Sequence, residues 1–273
     1  MQSGWFDTGA NLAHASFSKD VEPVVQRALD ANIKRIAITG SDLDSSTFAI
    51  QQAQTRPDLF VATCGLHPHL AHQFQPSYEN KLRQLAQNES VKAVGEMGLD
   101  FFRNLSSEKE QIHCLERQLR LAIDLRKPVF LHQRNAFDTM FPIVREALPD
   151  LPAAVIHCFT GTEQELGQWL QLGLYIGITG WICDERRGKH LWSCVDIIPE
   201  DRLMIETDAP YLRPRQIPRA QLDVLPDRHR NEPCMLPWVA AKLAECRQCE
   251  LPQLQQSCWQ TSCHFFGIDG TDR

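Results

Sequence analysis

Four side chains of this chain have the types and the positions of a metal site. They are Glu96, His132, His157 and Asp208. Each follows a short apolar stretch, which is how a buried strand delivers a polar group to an open loop. Two neutral imidazoles and two carboxylates suit a divalent cation and leave positions for water and substrate. Such an ion activates water and polarises a phosphoryl or carbonyl oxygen, so the four residues predict metal-assisted hydrolysis.

The expected mechanism uses one metal ion. We expect Glu96, His132 and His157 to hold it. Asp208 is then a further ligand or the base that accepts a proton from the attacking water. Mg²⁺ suits a site that shares carboxylates and phosphates, and Mn²⁺ or Zn²⁺ are alternatives because two ligands are histidines. Asp7, at the end of an apolar stretch, is a candidate outer ligand or hydrogen-bond partner of a ligand histidine.

The elements that must position these residues alternate between strand and helix. Short β-branched runs lie between amphipathic stretches, of which 108–126 is the clearest because apolar residues recur there at helical spacing. Eight such units predict an α/β protein with a TIM (β/α)₈ barrel, and a doubly wound open sheet is the alternative. The predicted strands are 5–8, 33–39, 59–65, 91–95, 128–131, 153–156, 174–178 and 203–205.

The barrel prediction makes the strand ends informative, because active sites in this fold lie at the carboxyl ends of the strands. Six of the eight predicted strands end at an acid or a histidine. A single histidine at a strand end is more often a core residue, but several on one rim reverse those odds. The pattern therefore places the predicted metal site on the barrel rim.

Arginines and aromatic residues follow several of the same strands. They cluster after the seventh and eighth strands, although the whole chain has a formal net charge of −6. Guanidinium groups bind phosphates and aromatic rings stack on bases, so this face suits a single-stranded nucleic acid. The candidate substrate residues from this argument are Phe102, Arg103, Trp181, Arg187, Tyr211, Arg213 and Arg230.

Length and composition limit the class of protein. The 273 residues, 43% hydrophobic and 23% charged, suit one domain spanning 1–273 with two terminal helices at about 235–267. No stretch is apolar enough for a membrane span and the start lacks signal-peptide features, so we expect a cytoplasmic protein. We also expect a monomer. The ten cysteines are expected to be reduced, with a structural zinc at Cys246 and Cys249 as a weaker alternative.

Seven short motifs occur in order along almost the whole chain. They are GLHPH at 65–69, VGEMGLD at 94–100, VFLH at 129–132, HCFTG at 157–161, GITG at 177–180, IETDAPY at 205–211 and RNEP at 230–233. Their order and spacing resemble the TatD-type metal-dependent nucleases. The resemblance implies a barrel of the metal-dependent hydrolase type. It also implies a Mg²⁺-dependent 3′ to 5′ exonuclease acting on single-stranded DNA, with RNA as a second candidate substrate and DNA repair as a candidate role.

The resemblance also carries residue roles. It implies the same four metal ligands as the strand ends, and it implies that His67 lies near the substrate with His69 beside it. His67 is then a candidate contact to the scissile phosphate or acid for the leaving oxygen.

One motif departs from the family pattern. Many members carry Asp-x-His-x-His after the first strand, whereas this chain keeps Asp7 and has Gly9 and Asn11 at the histidine positions. A two-metal mechanism is therefore in question. Two other functions stay open, because a fold does not fix a substrate. One is an ester or amide hydrolase, such as a D-aminoacyl-tRNA deacylase, and the other is a non-catalytic nucleic-acid-binding barrel.

Overall fold

Eight parallel strands in chain order form the central sheet of the structure, a computed structural model that describes residues 4–223, 225 and 227–268. Each strand pairs in parallel with the next one along the chain. The strands are β1 Trp5–Ala10, β2 Ile33–Ile38, β3 Phe60–Cys64, β4 Val91–Asp100, β5 Val129–Arg134, β6 Ala154–Ile156, β7 Tyr175–Ile178 and β8 Leu203–Ile205.

The last strand returns to the first and closes the barrel. The hydroxyl of Thr8 donates to the carbonyl oxygen of Ile205 at 3.0 Å, and an isolated parallel bridge joins Ala10 to Ala209. Strands in sequential order with closure confirm the predicted (β/α)₈ barrel. The doubly wound alternative is wrong, because that sheet stays open and reverses its strand order at a switch point.

Helices follow the strands and cover the barrel. The α-helices in the described residues are α1 Val21–Asp30, α2 Leu43–Thr55, α3 Pro76–Ala86, α4 Glu108–Leu125, α5 Phe137–Ala147, α6 Glu163–Gln171, α7 Arg219–Leu222, α8 Leu236–Arg247 and α9 Leu251–Phe266. Capping boxes begin α2, α4 and α6, as where Ser107 and Glu110 exchange hydrogen bonds at the start of α4. These caps fix the loops that lead from the strand ends. In the described part of the chain, no helix has the length and apolar character needed to cross a membrane.

The amino-terminal end of the barrel is closed by α9. One apolar residue from each strand joins a cluster with side chains of α9. The rings of Phe6 and Phe266 stack with centroids 5.3 Å apart, and those of Tyr175 and Phe265 lie 5.2 Å apart. The chain therefore buries its own barrel floor and leaves the opposite end for chemistry. The eight strand residues are Phe6, Ala37, Val61, Ala93, Phe130, Val155, Tyr175 and Met204.

Three strands are longer than the sequence predicts, and the first of them, β1, extends to Ala10. β4 continues to Asp100 and β5 to Arg134, so Glu96 and His132 lie within paired strands rather than beyond them. Gly98 pairs with His132 at a φ of 152°, and a Cβ at this position would clash with the His132 carbonyl oxygen. A glycine-rich stretch is typical of a loop, which is why the sequence places the end of β4 too early.

Candidate metal centre

One carboxylate oxygen of Glu96 is surrounded by three imidazoles at the carboxyl end of the barrel. Oε1 lies 3.0 Å from Nδ1 of His132, 3.1 Å from Nε2 of His157 and 3.3 Å from Nε2 of His67. Burial alone would raise the pKa of the Glu96 carboxyl, but the charges of His67 and His157 hold it well below its ordinary value. The carboxylate is therefore ionised and directed at the imidazoles.

The spacing of these donor atoms fits a divalent cation. Two ligand atoms at right angles around an ion, each about 2.1 Å from it, are about 3.0 Å apart. The distances from Oε1 of Glu96 to the imidazole nitrogens, 3.0 to 3.3 Å, are close to this ligand-to-ligand distance. In the described residues, a group of donor atoms all within 4.8 Å of one another is formed by His67, Glu96 and His132. The structure thus brings His67 closer to the ligand set than the sequence predicts, whereas His157 contacts this group through Glu96.

Asp208 faces the same cavity from the segment after β8. Its Oδ1 accepts a hydrogen bond from the side-chain amide of Asn11 at 2.9 Å. Burial raises the pKa of the Asp208 carboxyl to about 7; the His157 charge opposes the shift and the Glu96 charge adds to it. Asn11, at one of the two family histidine positions, therefore holds an acidic residue of the site. The sequence did not predict this contact.

Asp7 is turned towards the backbone after β8. Its Oδ1 accepts from the backbone N–H of Thr207 at 2.8 Å, and its Oδ2 accepts from the Thr207 hydroxyl at 2.5 Å. Burial raises the pKa of Asp7 to about 7, against the effect of the Thr207 hydrogen bonds. The expected hydrogen bond to a ligand histidine is not formed. Asp7 instead ties β1 to the segment that carries Asp208.

Asp100, at the end of β4, was not assigned a role from the sequence. Its Oδ2 lies 2.7 Å from Nε2 of His69 and 3.5 Å from Nε2 of His132. Its Oδ1 accepts from the backbone N–H groups of Phe102 and Arg103. Asp100 therefore orients the His69 imidazole and the loop after β4, and it lies beside the His132 ring. An acid at the end of a barrel strand was the available signal.

Glu206 is a second acid that sequence reasoning missed. It follows β8 and is fully buried, with Oε1 3.1 Å from Nδ1 of His157. Burial alone would lower the pKa of His157, but the carboxylates of Glu206 and Glu96 raise it well above its ordinary value. The available signal was the pair of acids two residues apart, Glu206 and Asp208, because alternate residues of an extended segment share a face.

A cavity of about 590 Å³ opens above the carboxylate cluster. Six predicted substrate residues line it, on loops from different strands. Two others lie outside it: Phe102 is 58% exposed, and Arg213 lines a neighbouring cavity of about 450 Å³. The six lining residues are His67, His69, Arg103, Trp181, Arg187 and Tyr211.

The loop after β7 combines a cation with an aromatic ring. The guanidinium carbon of Arg187 lies 4.4 Å from the centre of a Trp181 ring, and its Nε lies 2.8 Å from Oδ2 of Asp184. Burial alone would raise the pKa of Asp184, but hydrogen bonds from Arg187 and Arg186 hold it at about 2. Asp184 therefore fixes this arginine against the ring at the cavity wall.

Arg230 does not lie on the substrate face. Its guanidinium makes ion pairs of 2.6 Å with both Asp20 and Glu232, and it packs 4.6 Å over the Phe17 ring. Only 7% of the residue is exposed. This burial does not fit the prediction that Arg230 is a substrate residue. Arg230 anchors the chain after β8 to the segment before α1.

Comparison with known proteins adds an independent observation. The family model of the TatD-related DNases matches residues 6–267. The chain belongs to this family. The 3′-5′ ssDNA/RNA exonuclease TatD of Edwardsiella piscicida is 48% identical over 250 residues, which is 92% of this chain and 94% of that protein. The 3′-5′ ssDNA/RNA exonuclease TatD of Pantoea ananatis is 43% identical over 264 residues, 96% of this chain and 99% of that protein.

Solved structures of the TatD family share the fold. The TatD homologue YJJV from Escherichia coli K12 superposes with a TM-score of 0.87 at 27% identity, covering 98% of this chain and all of that chain. A TatD family hydrolase from Entamoeba histolytica gives a TM-score of 0.85 at 26% identity, covering 97% and 98%. The resemblance predicted from the motifs is therefore confirmed along nearly the whole sequence.

Proposed function

We propose that this protein is a metal-dependent 3′ to 5′ exonuclease that hydrolyses phosphodiester bonds of single-stranded DNA and of RNA. The observation that carries the proposal is the Glu96 carboxylate among three imidazoles at the base of a cavity of about 590 Å³. The family membership supports the reaction class, and the relatives named as ssDNA/RNA exonucleases support the substrate.

Glu96, His132 and His157 would hold the divalent ion, with His67 close enough to add a ligand or to contact the phosphate. Mg²⁺ is the proposed ion, and Mn²⁺ or Zn²⁺ also suit the donors. When bound, it supplies charge that lowers the pKa of water and stabilises the phosphoryl oxygens. One ion is proposed, because Gly9 and Asn11 offer no imidazole to a second.

The chain's own side chains supply the proton transfers. Asp208, held by the amide of Asn11, faces the cavity and accepts the proton of the attacking water. His67, whose Nε2 lies 3.3 Å from Glu96, contacts the scissile phosphate or donates a proton to the leaving oxygen. Each group is fixed by hydrogen bonds or ion pairs before substrate arrives, which lowers the cost of reorganisation during the reaction.

The rim offers stacking surfaces and cations for a single strand. Trp181, Arg187 and Tyr211, which is 50% exposed, line the cavity. Arg134 lines it too, and its guanidinium lies 4.0 Å over the exposed Phe102 ring. Bases would stack on these rings, and phosphates would approach Arg103, Arg187 and Arg213. A cytoplasmic monomer with a role in DNA repair stays a prediction from the sequence.

The test is an assay of 5′-labelled and 3′-labelled single-stranded oligonucleotides with Mg²⁺, Mn²⁺ or Zn²⁺. We expect a ladder that shortens from the 3′ end in the presence of a divalent ion and stops with a chelator. A D-aminoacyl ester of tRNA in a parallel reaction tests the other hydrolase chemistry. Intact oligonucleotides with rapid ester cleavage would contradict the proposed function, as would shortening from the 5′ end.

A further inference from the structure

Glu206 is a fully buried carboxylate that the proposed proton transfers do not use. It lies at the carboxyl end of β8, packed between two glycines of neighbouring strands. A Cβ on Gly9 would lie 2.6 Å from Oε2 of Glu206, and a Cβ on Gly177 would lie 2.6 Å from Oε1. The backbones of β1 and β7 therefore pack directly against both oxygens, and any larger residue at either position would displace the carboxylate.

Burial of this charge requires compensating contacts. An ionised group without them costs several kcal/mol or more. Oε1 of Glu206 accepts from the backbone N–H of Cys158 at 2.5 Å and lies 3.1 Å from Nδ1 of His157. In the described part of the chain, Nδ1 of His157 has no partner in hydrogen-bonding geometry, so its polar contact is the close approach of the Glu206 carboxylate. The contacts of Glu206 thus converge on His157 and on the residue that follows it.

The His157 ring lies between the carboxylates of Glu96 and Glu206. Its Nε2 is 3.1 Å from Oε1 of Glu96 in the metal centre, and the ring packs against Phe130 with centroids 4.7 Å apart. A neutral imidazole carries one N–H. With a divalent ion on Nε2, the imidazole would be neutral and would carry its proton on Nδ1, next to the Glu206 carboxylate.

We propose that Glu206 is a positioning residue that fixes the Nδ1–H tautomer and the ring plane of His157 and thereby sets the affinity of the centre for its divalent ion. This inference rests on the metal centre of the proposed function, but not on its nucleic-acid substrate. Another buried acid of this region, Asp7, hydrogen-bonds to Thr207 and does not take the same position.

Titration of the full-length protein with Mn²⁺, followed by the electron paramagnetic resonance signal of the free ion, tests the proposal. We expect Glu206→Ala to raise the Kd for Mn²⁺ by about 10 to 100-fold, the usual effect of losing a partner of a metal-bound histidine. Glu206→Gln keeps the shape and a weaker acceptor, so its Kd should rise less. Unchanged affinity in both variants overturns the proposal; where the alanine variant does not fold, unchanged affinity of the glutamine variant overturns it.

Glu232→Gln is the matched control. Glu232 is also fully buried, but its carboxylate pairs with Arg27 and Arg230 away from the metal centre. We expect this variant to melt at a lower temperature and to bind Mn²⁺ with the parent affinity. An equal loss of Mn²⁺ affinity in Glu232→Gln and Glu206→Ala would show a general effect of destabilisation and would refute the positioning role.

The tautomer gives a readout that a purely structural role would not change. In ¹⁵N-histidine-labelled protein loaded with Zn²⁺, we expect the proton of His157 on Nδ1 in the parent, with a downfield and slowly exchanging signal from its contact with Glu206, and loss of that signal in Glu206→Ala. A parent His157 with its proton on Nε2 overturns the proposal. Because these experiments use metal alone, a protein that binds the ion but leaves oligonucleotides intact would contradict the proposed function and leave this inference standing.

Discussion

At the residue scale, the candidate site depends on a single carboxylate oxygen. Oε1 of Glu96 is within 3.3 Å of three imidazole nitrogens, so removal of this side chain leaves the histidines without the charge that balances a divalent ion. We expect Glu96→Ala to reduce metal-dependent nuclease turnover by more than about 100-fold while the fold is kept. The measurements are initial rates on a labelled oligonucleotide and a circular dichroism melt.

Glu89→Ala is the control for this change, because Glu89 is an exposed glutamate just before β4, at the opposite end of the barrel. It should cleave at the parent rate. If the turnover of Glu96→Ala stays within tenfold of the parent value, the assignment of Glu96 to the site is wrong. We expect His157→Ala to behave like Glu96→Ala.

Asp7 should contribute to pH-dependent stability rather than to metal binding. Its carboxyl has a pKa of about 7 in the fold, against 3.8 as the ordinary value. Between these values the unfolded chain releases a proton that the fold retains, so this group makes the protein less stable as the pH rises from about 4 to 7. Asp7→Asn cannot ionise, and its amide can donate to the Thr207 hydroxyl. We expect the Tm of the variant, relative to the parent, to increase between pH 5 and pH 7.5.

The activity of Asp7→Asn provides a second test that Asp7 is not a metal ligand. Because the hydrogen bonds of Asp7 go to Thr207 and Gly9, we expect turnover to fall less than tenfold. A loss as large as that of Glu96→Ala would make Asp7 a metal ligand. A Tm difference that is constant with pH would show that the carboxyl does not titrate as its burial requires.

Individual ligand candidates could be predicted because each one marks the end of a local apolar run. The side chains that contact these candidates could not be predicted. The contact from Asn11 to Asp208 spans 197 positions, and that from Glu206 to His157 joins different strands, so neither leaves a local pattern. Arg230 is predicted on the substrate face because it is one of several arginines that follow the eighth strand, whereas its ion pairs with Asp20 and Glu232 exist only in the fold.

At the element scale, the junction of β4 and β5 positions both Glu96 and His132. Gly98 allows the two strands to approach, and a Cβ there would overlap the His132 carbonyl oxygen at an unfavourable φ of 152°. We expect Gly98→Ala to lower the Tm and to weaken Mn²⁺ binding, because the strand that carries His132 must move. Calorimetric unfolding and Mn²⁺ titration measure the two effects.

Gly167→Ala is the control for this change, because we expect it to raise the Tm rather than to lower it. Gly167 lies inside α6, and a Cβ there meets nothing within 4 Å. Replacement of a helical glycine by alanine stabilises by about 0.5 to 1 kcal/mol. We expect a higher Tm with unchanged Mn²⁺ affinity. Equal responses of the two glycine variants would mean that the close approach at Gly98 does not matter.

Strand and helix positions follow from the sequence where periodicity is strong, as in α4, whose capping box and αL terminus at Arg126 frame the predicted amphipathic stretch. The extension of β4 could not be predicted. The stretch Gly95 to Asp100 has the composition of a turn, and it becomes a strand only because β5 pairs with it.

At the scale of the whole molecule, an acidic protein presents cations and rings on one face. Phe102 is 58% exposed, and the Arg134 guanidinium lies 4.0 Å over its ring. We expect Phe102→Ala to raise the KM for a single-stranded oligonucleotide by about 5 to 100-fold, from about 1 to 3 kcal/mol of base stacking. The turnover of bis-p-nitrophenyl phosphate, which has no bases, should not change.

Leu251→Ala is the matched control, since Leu251 is also an exposed apolar residue, 39% accessible, but begins α9 at the closed end of the barrel. It should leave both substrates unaffected. A Phe102→Ala variant with the parent KM for the oligonucleotide would exclude this ring from the substrate path.

The barrel itself was predictable because alternating strands and helices in this number have few closed arrangements. The end of the barrel that carries the candidate site was predictable too, since active groups gather at the carboxyl ends of parallel strands. The way in which the opposite end is closed was not predictable. The sequence indicates two terminal helices, but only the structure shows that α9 fills the barrel floor.

That floor has a consequence for synthesis. Its first contributor, Phe6, packs against Phe266, near the other end of the described chain. During synthesis the eight strands leave the ribosome before α9 does, so the apolar ring that they form stays uncovered until α9 follows.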